Sequence, residues 1–288
     1  MKEKKKEVIT ESAQKLIDII SASLKDLSNK TIKNYIKHEM VEINGKVETN
    51  ANKIIEKNSN VTIYFTKRKV PKIDLKILYE DEDLIAIDKP SGLLSISNSK
   101  EKELTAFRLV SDYIKTNNKN AKLFVIHRLD EHTSGVLLFS KNLSLKERLQ
   151  KNWNDYVKLR EYTCVVKGKM PSEGRIESYL TMNHFQIVHS TNNKNIGHLA
   201  ITRYKLLKYK NTYSLLKVEI DTGRRNQIRV HLSEQGHPIV GDKKYGTKVN
   251  PIGRLALHAS RLKLIDPRTN KILDIKSPVP ESITNLVE

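Results

Sequence analysis

Residues 127–135 read His-Arg-Leu-Asp-Glu-His-Thr-Ser-Gly and run on at 136–142 as Val-Leu-Leu-Phe-Ser-Lys-Asn. Leu123-Phe124-Val125-Ile126 comes just before, so a polar stretch holding Asp130 and Glu131 lies between two apolar runs. Short apolar runs bounded by turn residues are the pattern of buried strands, and the polar stretch between them is a loop with rigid flanks. A carboxylate on such a loop is well placed to react, although an isolated loop aspartate is more often a turn residue.

Upstream, Leu84-Ile85-Ala86-Ile87 has the same strand pattern and ends at Lys89-Pro90-Ser91-Gly92, and a helical stretch covers Leu104 to Ile114. Downstream, residues 134–230 alternate short β-rich runs with polar turns, without a repeat of 20–50 residues. The mixture predicts an α+β fold with a mainly antiparallel sheet and helices to one side.

The first 66 residues have a different pattern. Ala13, Leu16, Ile17, Ile20 and Leu24 share one helical face, and Ser28 can cap a second helix carrying Ile32, Tyr35, Ile36 and Met40. Val41 and Ile43 lead into Asn44-Gly45, a strong hairpin signal, with Val47 on the return strand. Ile54-Ile55 and Val61–Phe65 add further strands. The expected organisation is a basic tail over 1–12, a small α/β domain over 13–66, a charged linker over 67–75, and the main domain over 76–288.

Composition limits the function classes. The 288 residues include 52 Lys+Arg against 33 Asp+Glu, a net charge of +19, spread as +6 over residues 1–75 and +13 over 76–288. Such a balance favours polyanionic partners. The single cysteine, Cys164, excludes an intramolecular disulfide framework and multi-cysteine zinc sites, and its strand setting suits an inert core thiol. No histidine pair has the helical spacing of a zinc protease and no Gly-rich phosphate loop is present, so neither a metal nor a nucleotide cofactor is expected. No secretory leader follows the first lysines and no window reaches membrane-spanning length, so the expected location is cytoplasmic. Residues 141–169 carry +5 and residues 203–229 carry +6, a possible phosphate track, while aromatics at 6% are too sparse for stacking along a whole single strand.

Two resemblances sharpen the picture. His127, Arg128, Leu129, Asp130, Thr133, Ser134 and Gly135 reproduce the His-Arg-Leu-Asp-x-x-Thr-Ser-Gly motif of the uridine-isomerising RNA pseudouridine synthases. Asp88–Leu93, Arg160–Gly168, Thr222–His231, Gly241–Gly246 and Leu257-His258-Ala259 resemble further family segments, so the likeness covers roughly residues 76 to 280. Asn226 and Ser95-Ile96 depart from the usual histidine and His-Pro at their positions. More weakly, Leu27-Ser28, Lys30, Lys33, Lys37 and Val41–Val47 resemble the S4-like RNA-binding module first described in a ribosomal small-subunit protein. The resemblance implies a pseudouridine synthase fold with a mainly antiparallel mixed sheet and flanking helices, preceded by the S4-like domain.

By that resemblance Asp130 is the nucleophile, forming a transient adduct or glycal-type intermediate. Tyr162 stacks on the target base and assists proton removal, and Arg229 pairs its planar fork with the Asp130 carboxylate. Arg128 fills the gap left by the extruded nucleotide, while Leu129 and Ile228 wall the pocket. Lys30, Lys33, Lys37, Lys46, Arg224 and Arg225 are the expected RNA contacts. Asp221 is expected to hold an arginine rather than serve as a second acid. The implied protein is a monomeric isomerase acting on large-subunit rRNA or its precursor particles. A tRNA target and a noncatalytic RNA-binding or ribosome-assembly factor are the competing readings. A glycoside hydrolase would need a second facing carboxylate, which the sequence does not offer.

Overall fold

The computed structural model describes residues 5–38, 40–65, 75–97, 104–246 and 250–288. The expected linker at 67–75 lies outside the described residues, Leu75 apart. Contacts divide the chain into two compact units, Met1–Lys72 and Ile73–Glu288.

The first unit contains β1 (Lys5–Ile9), β2 (Gln14–Lys15), α1 (Leu16–Ser23), α2 (Asn29–Lys37), β3 (Val41–Ile43), β4 (Lys46–Val47), β5 (Ile54–Ile55) and β6 (Asn60–Tyr64). Its sheet runs β1-β6-β3-β4, with β2 and β5 as a separate pair. Ser28 caps α2 by accepting a hydrogen bond from the Thr31 N–H at 3.2 Å. Asn44 and Gly45 both take positive φ, as a tight hairpin between right-twisting strands requires. Leu16, Ile20, Ile32, Ile36, Val61 and Ile63 form the buried centre.

Two expectations change here. Residues 5–9 are not tail but a strand antiparallel to β6, from Lys5 opposite Tyr64 to Ile9 opposite Asn60. Their side chains are mostly exposed, so no apolar alternation marks them, and main-chain pairing with β6 holds them. Helix α1 starts at Leu16 rather than Ala13, because Gln14 and Lys15 pair with Ile55 and Ile54.

The second unit begins with β7 (Lys76–Glu80), β8 (Leu84–Lys89), α3 (Ala106–Asn117), β9 (Phe124–Val125) and β10 (Ser134–Ser140). It continues with α4 (Leu143–Lys151), α5 (Trp153–Tyr156), β11 (Val157–Lys167), β12 (Glu173–Met182), β13 (Val188–Thr191), β14 (His198–Lys210) and β15 (Tyr213–Ile220). Then come α6 (Gln227–Glu234), β16 (Leu257–Ile265), β17 (Ile272–Lys276) and α7 (Glu281–Thr284). One sheet runs β13-β12-β14-β15-β11-β16-β10-β8-β7, with β9 beside β10 and β17 beside β16. Among the described residues every pairing in it is antiparallel except β10 with β16.

The centre of this sheet is buried on both faces. Ile85, Ile87, Leu137 and Phe139 pack on the side covered by α3 residues Ala106, Val110 and Ile114. Leu84, Ala86, Val136 and Leu138 point the other way, onto Leu145 and Leu149 of α4. Helices therefore cover both faces, not one. The unbroken apolar runs on β8 and β10 are the consequence, since side chains of alternate sense both need cover. Helices α4 and α6 also interrupt a region expected to hold only short strands and turns; α4 is a polar segment with two buried leucines, capped by Asn142 accepting from the Leu145 N–H.

The motif's closing glycine is fixed by the parallel contact. Ser134 and Gly135 lie opposite His258 and Ala259, Gly135 has φ +109°, and a Cβ there would come within 2.2 Å of the Ala259 carbonyl oxygen. Gly135→Ala should therefore lower stability by about 2–4 kcal/mol through combined strain and overlap. The check is a urea midpoint shifted down at constant slope; an unchanged midpoint would contradict the close approach.

Candidate active site

The loop carrying Asp130 is held by its neighbours' backbone and side chains. Ser95 Oγ donates to the Leu129 carbonyl at 2.7 Å and accepts from the Leu129 N–H at 3.0 Å. Lys89 is fully buried, and its Nζ donates to the carbonyls of Pro90, Leu93 and Glu131 at 3.0, 2.6 and 2.9 Å. The Gly92 N–H also reaches the Glu131 carbonyl, Ser91 Oγ donates to that of His132, and the Thr133 N–H closes the turn onto that of Asp130. Burial pulls Lys89 down to about 7, while the Asp130 and Glu131 charges work to raise it. At the loop's start, His127 Nε2 accepts from the Leu138 N–H at 3.1 Å, and burial, aided by the Arg160 charge, pulls this imidazole down to about 4, so it stays neutral.

Below the loop, Ser134 bridges to the parallel strand: its Oγ lies 2.8 Å from His258 Nδ1 and accepts from Arg254 Nη2. These contacts account for the conjunction of Thr-Ser-Gly with Leu257-His258-Ala259 in the sequence.

Arg229 lies one turn into α6, behind Asn226, whose φ of +54° is a left-handed conformation that asparagine tolerates. The expected fork-to-fork pairing with Asp130 is corrected by the structure. Arg229 Nε and Nη2 instead grip both oxygens of Asp242, at 2.7 and 2.8 Å. Its Nη1 donates to Asn226 Oδ1 at 3.1 Å and stands 3.7 Å from Asp130 Oδ2. Asp242 wins the fork because it is already fixed: its Oδ1 also accepts the N–H groups of Lys244 and Tyr245. Tyr245 lies with its ring 5.1 Å from the guanidinium carbon, and its hydroxyl accepts from Asn226 Nδ2.

This arrangement leaves Asp130 near a cation without being clasped by it. Its side chain is 27% exposed, against 1% for Asp242. Burial raises the Asp130 carboxyl above its ordinary range, with Arg229 and Arg225 working against the rise. Burial acts on Asp242 in the same sense, but the Arg229 hydrogen bonds and charge overcome it and hold that carboxyl low. The two aspartates are thus pushed apart by their surroundings, one clasped by Arg229 and one left partly exposed.

Tyr162 of β11 packs against two of the hydrophobic clusters. Burial pushes its phenol up to about 12, Arg160 pulling it down and Asp130 adding to the rise. Leu129 and Ile228 are buried, whereas Arg128 is exposed. Arg224 and Arg225 are exposed on the loop before α6, Arg224 Nε donating to the Leu199 carbonyl and Arg225 reaching Met182 Sδ and Gln186 Oε1. Asp221 does hold an arginine, Arg203, at 2.5 Å. Lys30, Lys33, Lys37 and Lys46 are exposed in the first unit. Cys164 is buried in the core, which pushes its thiol up. Sequence reasoning missed Asp242, Tyr245, Lys89 and Ser95 as parts of the site. The first three stood inside matched segments without a role, and Ser95 stood at a departure.

A family model described as RNA pseudouridylate synthase matches residues 83–234. An uncharacterized RNA pseudouridine synthase of Bacillus subtilis is 29% identical over 286 residues, covering 96% of this chain and 93% of that protein. Ribosomal large subunit pseudouridine synthase D of Escherichia coli K12 is 28% identical over 294 residues, covering 96% and 90%. Among solved structures, human RNA pseudouridylate synthase domain containing 4 superposes with a TM-score of 0.61 at 23% identity, over 73% of this chain and 91% of that one, a likeness of fold.

Asp242→Asn should leave a buried guanidinium with a weakened partner. An expected loss of about 3–5 kcal/mol, read by urea unfolding, would mark the pair as the local anchor; a change below about 1 kcal/mol would contradict that role.

Proposed function

This chain belongs to the RNA pseudouridylate synthase family, and we propose that it isomerises uridine to pseudouridine in large-subunit rRNA with Asp130 as nucleophile. The observation that supports the reading most is the pairing of a partly exposed Asp130 with an Arg229 already committed to Asp242. A carboxylate so placed keeps an oxygen for chemistry while a fixed cation stabilises its ionised form.

The reaction breaks the bond between the base and ribose carbon 1, turns the base, and rejoins it through ring carbon 5. The carbon 5 proton leaves and the freed ring nitrogen takes one up, so no redox partner or energy input is needed. Asp130 acts through a transient adduct or a glycal-type intermediate, and either requires it ionised. Tyr162, kept neutral by its high pKa, packs on the turned base and can donate a hydrogen bond. Leu129 and Ile228 wall the base, and the exposed Arg128 takes the place of the extruded nucleotide. Arg224, Arg225 and, in the first unit, Lys30, Lys33, Lys37 and Lys46 contact phosphates, residues 13–66 serving as the S4-like RNA-binding domain. The protein works as a monomer in the cytoplasm, on rRNA or its precursor particles. Among the described residues no helix is long and apolar enough to cross a membrane.

Tritium release from carbon 5 of labelled uridine in large-subunit rRNA tests the reading. The parent should release label, while Asp130→Asn should keep most of its RNA affinity and release none. Release by the variant at near the parental rate would remove Asp130 from the mechanism, and release only from tRNA would change the substrate.

The same assay gives a pH prediction. Because burial raises Asp130, the acid limb of kcat/KM should lie above the usual aspartate value of about 3.9. Arg225 lowers this carboxyl, so Arg225→Gln should move that limb to still higher pH. An unmoved limb would mean that another group sets it.

A further inference from the structure

A cavity of about 210 Å³ opens among Trp153, Arg160, Asp221, Gly223 and Arg224. None of these residues except Arg224 has a role in the function proposed above. Arg160 and Tyr162 are two residues apart on β11, about 7 Å along a strand. The Trp153 and His127 rings are 5.6 Å apart, so the cavity adjoins the start of the Asp130 loop.

Two arginines and one aspartate line the cavity, the Asp221 charge acting on Arg160 without a direct ion pair. Arg160 Nη2 donates to the Asp221 backbone carbonyl at 2.5 Å, and Arg224 Nε to that of Leu199 at 3.0 Å. The Asp221 carboxylate is taken by Arg203. Among the described residues neither Arg160 nor Arg224 has an ion-pair partner, although Arg160 is only partly exposed. Guanidinium groups without an ion-pair partner leave their planar faces and N–H groups open to a ligand's base or phosphate. The Arg160 guanidinium carbon sits 5.9 Å from the Trp153 ring centre. Gly223 makes room for it, since a Cβ there would lie 2.7 Å from Arg160 Nη1.

Resting on the reading of this protein as a uridine-isomerising enzyme, we propose that the cavity is a subsite for the nucleotide next to the reacting uridine, its base against Trp153 and Arg160 and its phosphate on Arg224. Aromatic rings and arginine planes are the surfaces on which unstacked RNA bases settle. The volume is below that of sites for whole drug-sized ligands and suits a single base. With the uridine on Tyr162, this cavity lies about 7 Å along β11, a distance that an adjacent nucleotide can span. The subsite thus gives the extruded strand a second hold, which offsets part of the cost of unstacking.

Trp153 is the sole tryptophan of the chain, so tryptophan emission comes from the wall of this cavity. The full chain carrying Asp130→Asn is titrated with hexauridylate, binding being followed separately by anisotropy of labelled RNA. Emission should be quenched in step with binding, and a six-unit ribose-phosphate chain without bases should bind without that quench. Gly223→Ala, which displaces Arg160, and Arg224→Ala should each raise the Kd by roughly five- to fiftyfold, within the range of losing one stacked base. Binding with Trp153 emission unmoved, or equal quenching by the baseless chain, overturns the subsite while tritium release by the parent still stands. Absence of both binding and release overturns the functional reading and the subsite with it.

Discussion

The bidentate grip of Arg229 on Asp242 is the constraint on which the candidate site depends. A guanidinium 9% exposed in its side chain cannot be left without an anion, and Asp242, tied by two backbone N–H groups, is an anion that cannot move. The pair fixes the start of α6, the Asn226 turn and the Tyr245 ring in one network. Its remaining Nη1 then faces Asp130 at 3.7 Å, near enough to stabilise charge and too far to clasp it.

The opposite wall of the centre is built by a different principle. Segment 89–95 offers donors, from Lys89, Ser91, Gly92 and Ser95, to the carbonyls of Leu129, Glu131 and His132. A loop whose backbone groups are satisfied in this way needs little apolar burial to be rigid. The sheet anchors both walls: β8 leads into the clamping segment, β10 leaves the loop, and β16 presses its backbone onto Gly135. Rigidity thus reaches a short polar loop through hydrogen bonds on one side and close main-chain contact on the other.

Much of the site could be read from the chain. Asp130 and Gly135 were marked by one motif of the resembled family, and the parallel strand contact supplies the steric reason for the glycine. Asn44-Gly45 and Ser28 acted through local chemistry and appear where local chemistry puts them. Lys5–Ile9 was illegible because its strand exists by pairing with a segment more than fifty residues away, with no apolar pattern of its own. Helix α4 was obscured by having only two buried positions.

The sequence alone determined the α+β class, the basic character that favours a polyanionic partner, and the polar loop that carries Asp130. Those properties follow from composition, period and short motifs, which a linear chain carries in full. Only the tertiary structure decided how the charges are paired. Asp130 and Asp242 are both carboxylates within reach of Arg229, and the fork closes on Asp242, which the backbone N–H groups of Lys244 and Tyr245 already hold in place. The same holds for Arg160 and Arg224, whose lack of a carboxylate partner among the described residues is visible only once Asp221 is seen to be occupied by Arg203.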